Sequence, residues 1–296
     1  VRDRVAALDF TKREARLASG ERLAWDRLIL SPGIELMRER VDGLQAAHAA
    51  GRVLQAWKAG LETAALRARL EAMPDGGVFV LTIPLAPFRC PPGPYERACL
   101  VADHFKRVKP KSKVLVFDAN PEPVSKAALF RSVWANQYAG IVEYRPNFNA
   151  VAVAADGRSV EFELGERERA DVLNVLPDMR AGEIAARSGL ATAKDRWCEV
   201  DFLDFSAKGL PKSAGVHLLG DATWPTRMPG YRRPRRRRVT RRGGCTAWRR
   251  MPSALRPWAE RGRAARRQRR VHRFRRPRRQ TWSTWLAPVW PPAGTR

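Results

Sequence analysis

The residues best suited to chemistry lie in Phe88-Arg89-Cys90-Pro91-Pro92-Gly93-Pro94-Tyr95-Glu96-Arg97-Ala98. This stretch follows an apolar run and precedes a helix whose first turn is expected at Pro94, because proline's fixed φ and missing N–H suit the first helical position. A thiol beside a helix N-terminus meets partial positive charge, and Arg89 and Arg97 add to it. That setting is expected to favour thiolate, the nucleophilic form, at Cys90. Glu96 is near enough in sequence to accept the proton, or it caps the helix. The same residues also read as a packed cysteine in a rigid proline loop. Cys99, on the same helix, and Cys198, in Trp197-Cys198-Glu199, read as core positions, since free cysteine is commonly buried. No Cys-x-x-Cys pair exists, which argues against a compact dithiol motif or a zinc knuckle.

A second constellation is Val216-His217-Leu218-Leu219-Gly220-Asp221-Ala222. An apolar strand ending in Gly-Asp lets backbone approach a ligand while the carboxylate accepts from a hydroxyl, as in flavin enzymes that hold a ribityl chain. The alternative is a strand-end turn with Asp221 as a helix cap. Ser31-Pro32-Gly33 after Leu28-Ile29-Leu30 carries the same two readings. No strand is followed by Gly-x-Gly-x-x-Gly, and Thr82-Ile83-Pro84-Leu85-Ala86-Pro87 offers no glycine for a pyrophosphate to approach, which disfavours a nicotinamide dinucleotide there. The four histidines, His48, His104, His217 and His272, have no metal-ligand spacing; a metal site is not expected.

The elements that must position these residues alternate strand and helix. Residues 5–18 read as a small antiparallel patch turning at Gly20, and Arg27–Leu30 as a buried strand. Between Gly51 and Ala72 the spacing of Leu54, Trp57, Leu61, Ala65, Leu66 and Leu70 predicts one helix. Val78–Leu81 and Lys113–Phe117 are continuous apolar strands. Pro94–Lys106 and Ser125–Tyr138 are expected helices, the latter with Leu129, Val133 and Trp134 inward. Val151–Val153 and Val160–Leu164 read as a hairpin across Asp156-Gly157. Asp171–Leu176 and Val216–Leu219 complete an α/β pattern with mostly parallel strands.

The net charge of +26 suggests a nucleic-acid partner until the chain is divided. Residues 231–296 hold 23 of the 56 basic residues and a single acid, Glu260, so the remainder is nearly balanced. That tail contains no Asp, Asn, Lys or Ile, carries five tryptophans in no register, and places Cys245 among arginines. Three readings compete: an Arg-rich arm that binds nucleic acid, a disordered low-complexity segment, and translation of a GC-rich gene in the wrong frame. The last is the leading one, and the tail is expected to form no stable fold. No run of roughly 18 apolar residues occurs, so a transmembrane helix is not expected. No signal segment opens the chain, and Val at position 1 reads as a start inside a longer gene product.

Taken together, several segments resemble the flavoprotein subunit of flavocytochrome c sulfide dehydrogenase, a relative of sulfide:quinone reductases. The most specific is Arg89-Cys-Pro-Pro-Gly-Pro-Tyr-Glu-Arg-Ala98. Leu28-Ile-Leu-Ser-Pro-Gly-Ile34, Ala56-Trp-Lys-Ala-Gly60, Lys111-Ser-Lys-Val-Leu115, Asn174-Val-Leu-Pro177, Arg180-Ala-Gly182, Trp197-Cys198 and Leu219-Gly-Asp-Ala222 follow in family order. The resemblance implies two Rossmann-like domains, an incomplete FAD domain interrupted by a second nucleotide-binding-like domain. On that basis 1–35 and 166–230 belong to the FAD domain, 36–75 to a connecting helical segment, 76–165 to the insertion and 231–296 to the tail. It also implies FAD as cofactor, an inorganic sulfur substrate, a c-type cytochrome partner and a periplasmic setting. Cys90 would be one cysteine of a redox disulfide with Glu96 beside it. Pro32, Gly33, Gly220 and Asp221 would lie along the cofactor.

The chain departs from the family in three places. The Gly-rich pyrophosphate loop would fall before Val1. After Met228-Pro229, arginines stand at 232–233 where the family has two alanines, the change a one-base slip from GCC-GCC to CGC-CGC produces. Cys245 is in no context comparable to the second redox cysteine. The expectation is therefore that this polypeptide, as written, neither completes the disulfide nor holds FAD tightly, and is inactive. Nucleic-acid binding through the tail and a sulfide:quinone reductase-like activity are the alternatives.

Overall fold

A computed structural model of the chain describes residues 2–224. The tail from 231 onward, with the readings made of it, lies outside the described residues. The described part falls almost wholly in one compact unit; of a second unit only Asp201–Ser206 is described, a turn closed by the Asp201 N–H donating to the Ser206 carbonyl at 2.9 Å.

Strands β1 (Val5–Asp9), β2 (Glu14–Leu17) and β3 (Arg22–Ala24) form the antiparallel patch that the alternation indicated. Then come β4 (Leu28–Leu30), β5 (Ile34–Leu36), α1 (Leu44–Ala49) and α2 (Leu61–Ala72). The central layer follows: β6 (Val78–Ile83), α3 (Gly93–Val108), β7 (Lys113–Asp118), α4 (Ala127–Asn136) and β8 (Val142–Pro146). An antiparallel sheet of β9 (Ala150–Val153), β10 (Ser159–Phe162) and β11 (Arg167–Arg169) leads into β12 (Val172–Val175). The chain continues through β13 (Met179–Ala181), α5 (Glu183–Arg187) and β14 (Val216–Leu218).

Four parallel strands in the order β12-β6-β7-β8 make the main sheet. β6, β7 and β12, covered on both faces, are apolar at nearly every position, as buried parallel strands are, while the edge strand β8 carries Glu143 and Arg145. Alternate residues go to opposite cores. Phe79, Leu81 and Ile83 of β6 join Val114, Val116 and Val172 against α2, α3 and α4. Val80, Leu115, Phe117, Leu173 and Val175 face α1 and the β9–β10 hairpin. On α3 the buried residues Tyr95, Ala98, Val101, Ala102 and Phe105 recur at helical spacing, so one stripe of the helix lies on the sheet.

Two short pairs flank this sheet. β4 runs parallel to β14, and β5 antiparallel to β13, so the first forty residues are joined to the last fifty of the described chain. β12 hydrogen-bonds to β6, so the main sheet runs on to Val175, past the boundary expected at 165.

Several local expectations are corrected. No helix spans 51–60: α2 begins at Leu61, and Leu61 itself is 92% exposed. Residues 53–56 are buried but not helical, because the carbonyls of Leu54, Gln55 and Ala56 bond to Asn174 and Arg97 instead of to helical N–H groups. β4 is not a buried strand, since Ile29 is 49% exposed and only Leu30 is covered. On α4 the inward residues are Phe130 and Trp134, while Leu129 faces solvent. β10 ends at Phe162 and leaves Leu164 exposed.

Candidate functional site

The parallel pair β4–β14 brings two of the chosen segments together at its carboxyl end. The Leu219 N–H donates to the Leu30 carbonyl at 3.0 Å, and the Ser31 hydroxyl donates to the Leu219 carbonyl at 3.2 Å. Gly33 and Gly220 both have positive φ, +68° and +78°. Around Gly33 no atom lies within 4 Å of where a Cβ would stand, and at Gly220 only the Ser31 hydroxyl does. Asp221 is exposed, and Gly220–Ala222 forms a single 3-10 turn. Pro32 is held from behind by Gly182, where a Cβ would come within 2.4 Å of the Pro32 carbonyl oxygen. The result is an open, backbone-lined cradle with one exposed carboxylate, Asp221, at the carboxyl edge of a parallel pair, the edge where α/β sheets bind ligands.

Cys90 occupies the turn between β6 and α3, the position at which a dinucleotide-binding unit carries its glycines. The helix starts one residue earlier than the proline rule implied, at Gly93, with Pro92 as N-cap and no side chain capping it. Glu96 therefore does not cap the helix. Cys90 has φ +56°, a left-handed conformation that costs a non-glycine residue roughly 1–2 kcal/mol. Gly93 must lack a side chain for want of room: a Cβ would lie 2.8 Å from the Trp57 ring and 3.1 Å from Cys90 Sγ.

The Cys90 loop reaches the cradle through Arg89. The Arg89 guanidinium donates through Nε to the Asp221 carbonyl and through Nη2 to the Thr223 carbonyl. Its Cζ lies 3.9 Å from the ring centre of the fully buried Trp197. Of the residues chosen from sequence, the structure thus gathers Pro32, Gly33, Gly220, Asp221 and Cys90 around one linked set of contacts, with Glu96 on the first turn of α3.

The electrostatics correct the expected thiolate. Burial and the Glu96 carboxylate, with Asp221 adding, push the Cys90 thiol above its ordinary value. The Gly93 N–H and the Arg97 guanidinium pull the other way and lose. The Arg89 guanidinium is turned toward the Asp221 and Thr223 carbonyls and the Trp197 ring. Cys90 is nevertheless the most accessible thiol among the described residues: it is exposed, Cys99 is half-buried and Cys198 is buried. Burial pushes the latter two up to about 11.

Three arrangements escaped the sequence reading. Arg97 donates to the Gln55 carbonyl and to Asn174 Oδ1, both at 2.7 Å, and to the Ala56 carbonyl at 2.5 Å. Burial brings its guanidinium down to about 10, still charged at neutral pH. It pins the 53–57 segment, and hence Trp57, beside the cysteine loop. The second is Asp118 at the end of β7, fully buried, accepting from Tyr95 Oη at 2.8 Å, Tyr144 Oη at 2.9 Å, and Asn120 N and Nδ2 at 2.9 and 2.7 Å. An acid at this position holds a ribose in a dinucleotide unit; here its acceptor sites face protein donors. The third is a cavity of about 150 Å³ at the carboxyl ends of β6 and β12, lined by Thr82, Pro84, Leu176 and Asp178. A Tyr or Asn near an acid in sequence gives no sign of such convergence, since the partners come from three elements. Among the described residues no cluster of His, Cys, Asp or Glu could hold a metal ion, and no helix is long and apolar enough to cross a membrane.

Comparison with known proteins agrees with the motif resemblance. Residues 63–177 match the family described as the central part of the sulfide dehydrogenase (flavocytochrome c) flavoprotein chain. The chain is 23% identical over 239 residues to the mitochondrial sulfide:quinone oxidoreductase of Mus musculus, a match covering 75% of this chain and 50% of that protein. Among solved structures, the sulfide:quinone oxidoreductase from Aquifex aeolicus aligns with a TM-score of 0.55 at 17% identity, over 76% of this chain and 52% of the other. A ferredoxin reductase from Rhodopseudomonas palustris aligns with a TM-score of 0.53 at 20% identity, over 75% and 50%. The chain spans about half the length of these relatives. It is similar in sequence to a sulfide:quinone oxidoreductase and has a Rossmann-type α/β fold like that of the solved oxidoreductases it aligns with.

Proposed function

We propose that this chain is part of a flavin-dependent oxidoreductase that oxidises sulfide, with Cys90 as the sulfur-reactive residue, FAD as cofactor and a c-type cytochrome as electron acceptor. The observation that carries the reading is the Arg89 bridge, which ties the cysteine loop to the Gly220–Asp221 turn. The residues present suit the redox end of FAD. Gly33 and Gly220 leave their backbones open to a flat ring, and the exposed Asp221 carboxylate can accept from a ribityl hydroxyl. Among the described residues no glycine-rich strand-to-helix turn is present for the pyrophosphate. FAD, when bound, supplies a two-electron acceptor.

The rest of the chemistry falls to the protein. Cys90 would take part as one half of a disulfide with a cysteine from outside the described residues: hydrosulfide attacks one sulfur, the S–S bond breaks, a persulfide forms, and the other sulfur leaves as thiolate. Neither Cys99 nor Cys198 is assigned as that partner, since both are covered. Once the disulfide has been opened, burial first and then the Glu96 carboxylate keep the proton on the Cys90 thiol. Glu96, one helical turn away and already felt by the thiol, is the group placed to take that proton. The periplasmic setting rests on the same family likeness.

The test begins with the whole protein of which this chain is part, reconstituted with FAD and examined by visible spectroscopy under argon, since this polypeptide as written is expected neither to complete the disulfide nor to hold FAD tightly. A flavin spectrum that bleaches on adding sulfide is expected, and Cys90→Ser should keep the colour and lose the bleaching. Failure to retain FAD, or a serine variant that bleaches at the parent rate, overturns the reading. Reoxidation by added cytochrome c, compared with a short-chain quinone, decides the acceptor.

A further inference from the structure

We propose that Arg89 is the positioning residue that holds the reactive thiol at its working place against the Gly220–Asp221 turn. The inference rests on the reading above, that Cys90 reacts and that this turn lies along the flavin, and it adds the device that sets their separation.

The cysteine loop has little else to fix it on that side. Four of its nine residues from 84 to 92 are proline and donate no backbone hydrogen bond. Its other anchors are Asn120, which accepts the Ala86 N–H at 3.0 Å and donates to the Pro84 carbonyl at 3.0 Å, a long bond from Arg196 Nη2 to the Pro87 carbonyl at 3.4 Å, and the internal Gly93 N–H to Cys90 carbonyl bond at 2.8 Å. None of these touches the Gly220–Thr223 turn, and the side chain that bonds to it from the loop is Arg89. Two donors of one planar guanidinium meet two carbonyls, those of Asp221 and Thr223, which fixes direction as well as distance.

The surface Arg89 rests on is itself rigid. Trp197 is fully buried beneath it, and Arg196 stands 5.8 Å from the same ring, held by the Met179 carbonyl at 2.8 Å and by Asp178 at 3.5 Å. The neighbouring backbone is stitched to the turn: the Cys198 N–H donates to the Ala222 carbonyl at 2.9 Å, and the Trp224 N–H to the Cys198 carbonyl at 2.7 Å. Arg89 is thus pressed between an immobile indole and the strand end that carries Gly220 and Asp221. The Arg89 N–H lies 3.3 Å from Met179 Sδ, which settles the backbone just before Cys90 turns left-handed. Moving Arg89 moves the residue bonded to it, and that residue is the thiol.

The experiment compares Arg89→Lys and Arg89→Met with the FAD-loaded parent. Lysine keeps the charge but cannot fork onto both carbonyls. A displacement of about 1 Å in a reacting group costs about 100-fold in rate, so the methionine variant should bleach with sulfide roughly 10- to 100-fold more slowly at saturating FAD, with lysine between it and the parent. In flavin-free protein, alkylation of Cys90 by iodoacetamide should stay within about threefold of the parent, because the thiol itself is unchanged. Amide hydrogen exchange at Cys90, Gly93 and Thr223 should speed up in both variants. Parent-rate bleaching in the methionine variant overturns the inference, as does unchanged exchange. Alkylation that falls in parallel with bleaching also overturns it, because it shows a loss of thiol reactivity in place of a loss of position. If Arg89→Met does not fold, Arg89→Lys decides alone by the same readings. Loss of the sulfide response through Cys90→Ser, together with an unaffected Arg89 variant, separates failure of this inference from failure of the functional reading.

Discussion

Removing one hydroxyl from the Asp118 cluster should weaken the whole site scaffold by a measurable amount. The carboxylate is fully buried, with Tyr95 and Tyr144 donating to one oxygen and Asn120 to the other. Tyr144→Phe deletes a single 2.9 Å bond and keeps the ring, which stacks on Trp134 at 5.2 Å between centres. A hydrogen bond to a charged acceptor contributes about 1.5–3 kcal/mol net, so urea unfolding at pH 7 should show a loss in that range. Tyr95→Phe should cost more, because Tyr95 Oη also accepts the Val124 N–H at 3.1 Å and anchors the first turn of α3 beside Cys90. The cluster also sets an alkaline limit. Burial and the Asp118 charge raise both tyrosines above their ordinary value of 10. A folded pKa above the unfolded one means stability is complete below pH 10 and falls as pH rises beyond it, by about 1.4 kcal/mol per pH unit for each such group. Tyr144→Phe should remove one group's share of that slope. A variant within about 0.5 kcal/mol of the parent at pH 7, or one with the parent's alkaline slope, refutes the reasoning.

Other outcomes follow from the same geometry. Arg97→Met strands the Ala56 carbonyl and the Asn174 amide oxygen and leaves the Gln55 carbonyl with Asn174 as its one donor, and should cost about 2–6 kcal/mol in chemical denaturation; a loss below about 1 kcal/mol would show that the segment holds without it. Gly182→Ala puts a Cβ 2.4 Å from the Pro32 carbonyl oxygen and should destabilise by about 1–3 kcal/mol while weakening FAD retention, read by thermal melting and flavin fluorescence. Iodoacetamide followed by peptide mass spectrometry should label Cys90 before Cys99 and Cys198, faster as pH rises, since its thiol starts protonated; earlier labelling of Cys198 contradicts the burial order. Titration with NADH should give no saturable binding, and a Kd below about 100 µM would show that the β6–α3 unit takes a dinucleotide after all.

How much of this was legible in the sequence depended on whether the determinant was local. The continuous apolar runs of β6 and β7 announced buried parallel strands, because both faces of such strands must be apolar. The cysteine loop and the Gly-Asp turn announced themselves by residue type. The false helix over 51–60 shows the limit. Leu54, Trp57 and Leu61 have helical spacing, but Arg97 and Asn174, forty and more residues away, take the carbonyls a helix would need. The thiol's charge state failed for a related reason: a helix N-terminus favours thiolate, yet Glu96 on that same turn and the cover over Sγ outweigh it.

The β6–α3 turn shows how one frame can serve different chemistry. In a parallel sheet of order β12-β6-β7-β8 the carboxyl ends of β6 and β12 mark the point where the strand order reverses, and ligands collect there. A dinucleotide needs glycines in the first turn and a free acid at the end of the second strand. Here the first turn carries prolines and a cysteine in a left-handed conformation, and the acid is closed off by two tyrosines and an asparagine. These two features support each other. Tyr95 reaches Asp118 from the first turn of α3, so the bonds that occupy the would-be ribose site also hold the helix end that presents Cys90. Freeing the acid for a nucleotide would loosen the thiol, and fixing the thiol uses the acid. A unit built this way is committed to one of the two tasks by its hydrogen bonds.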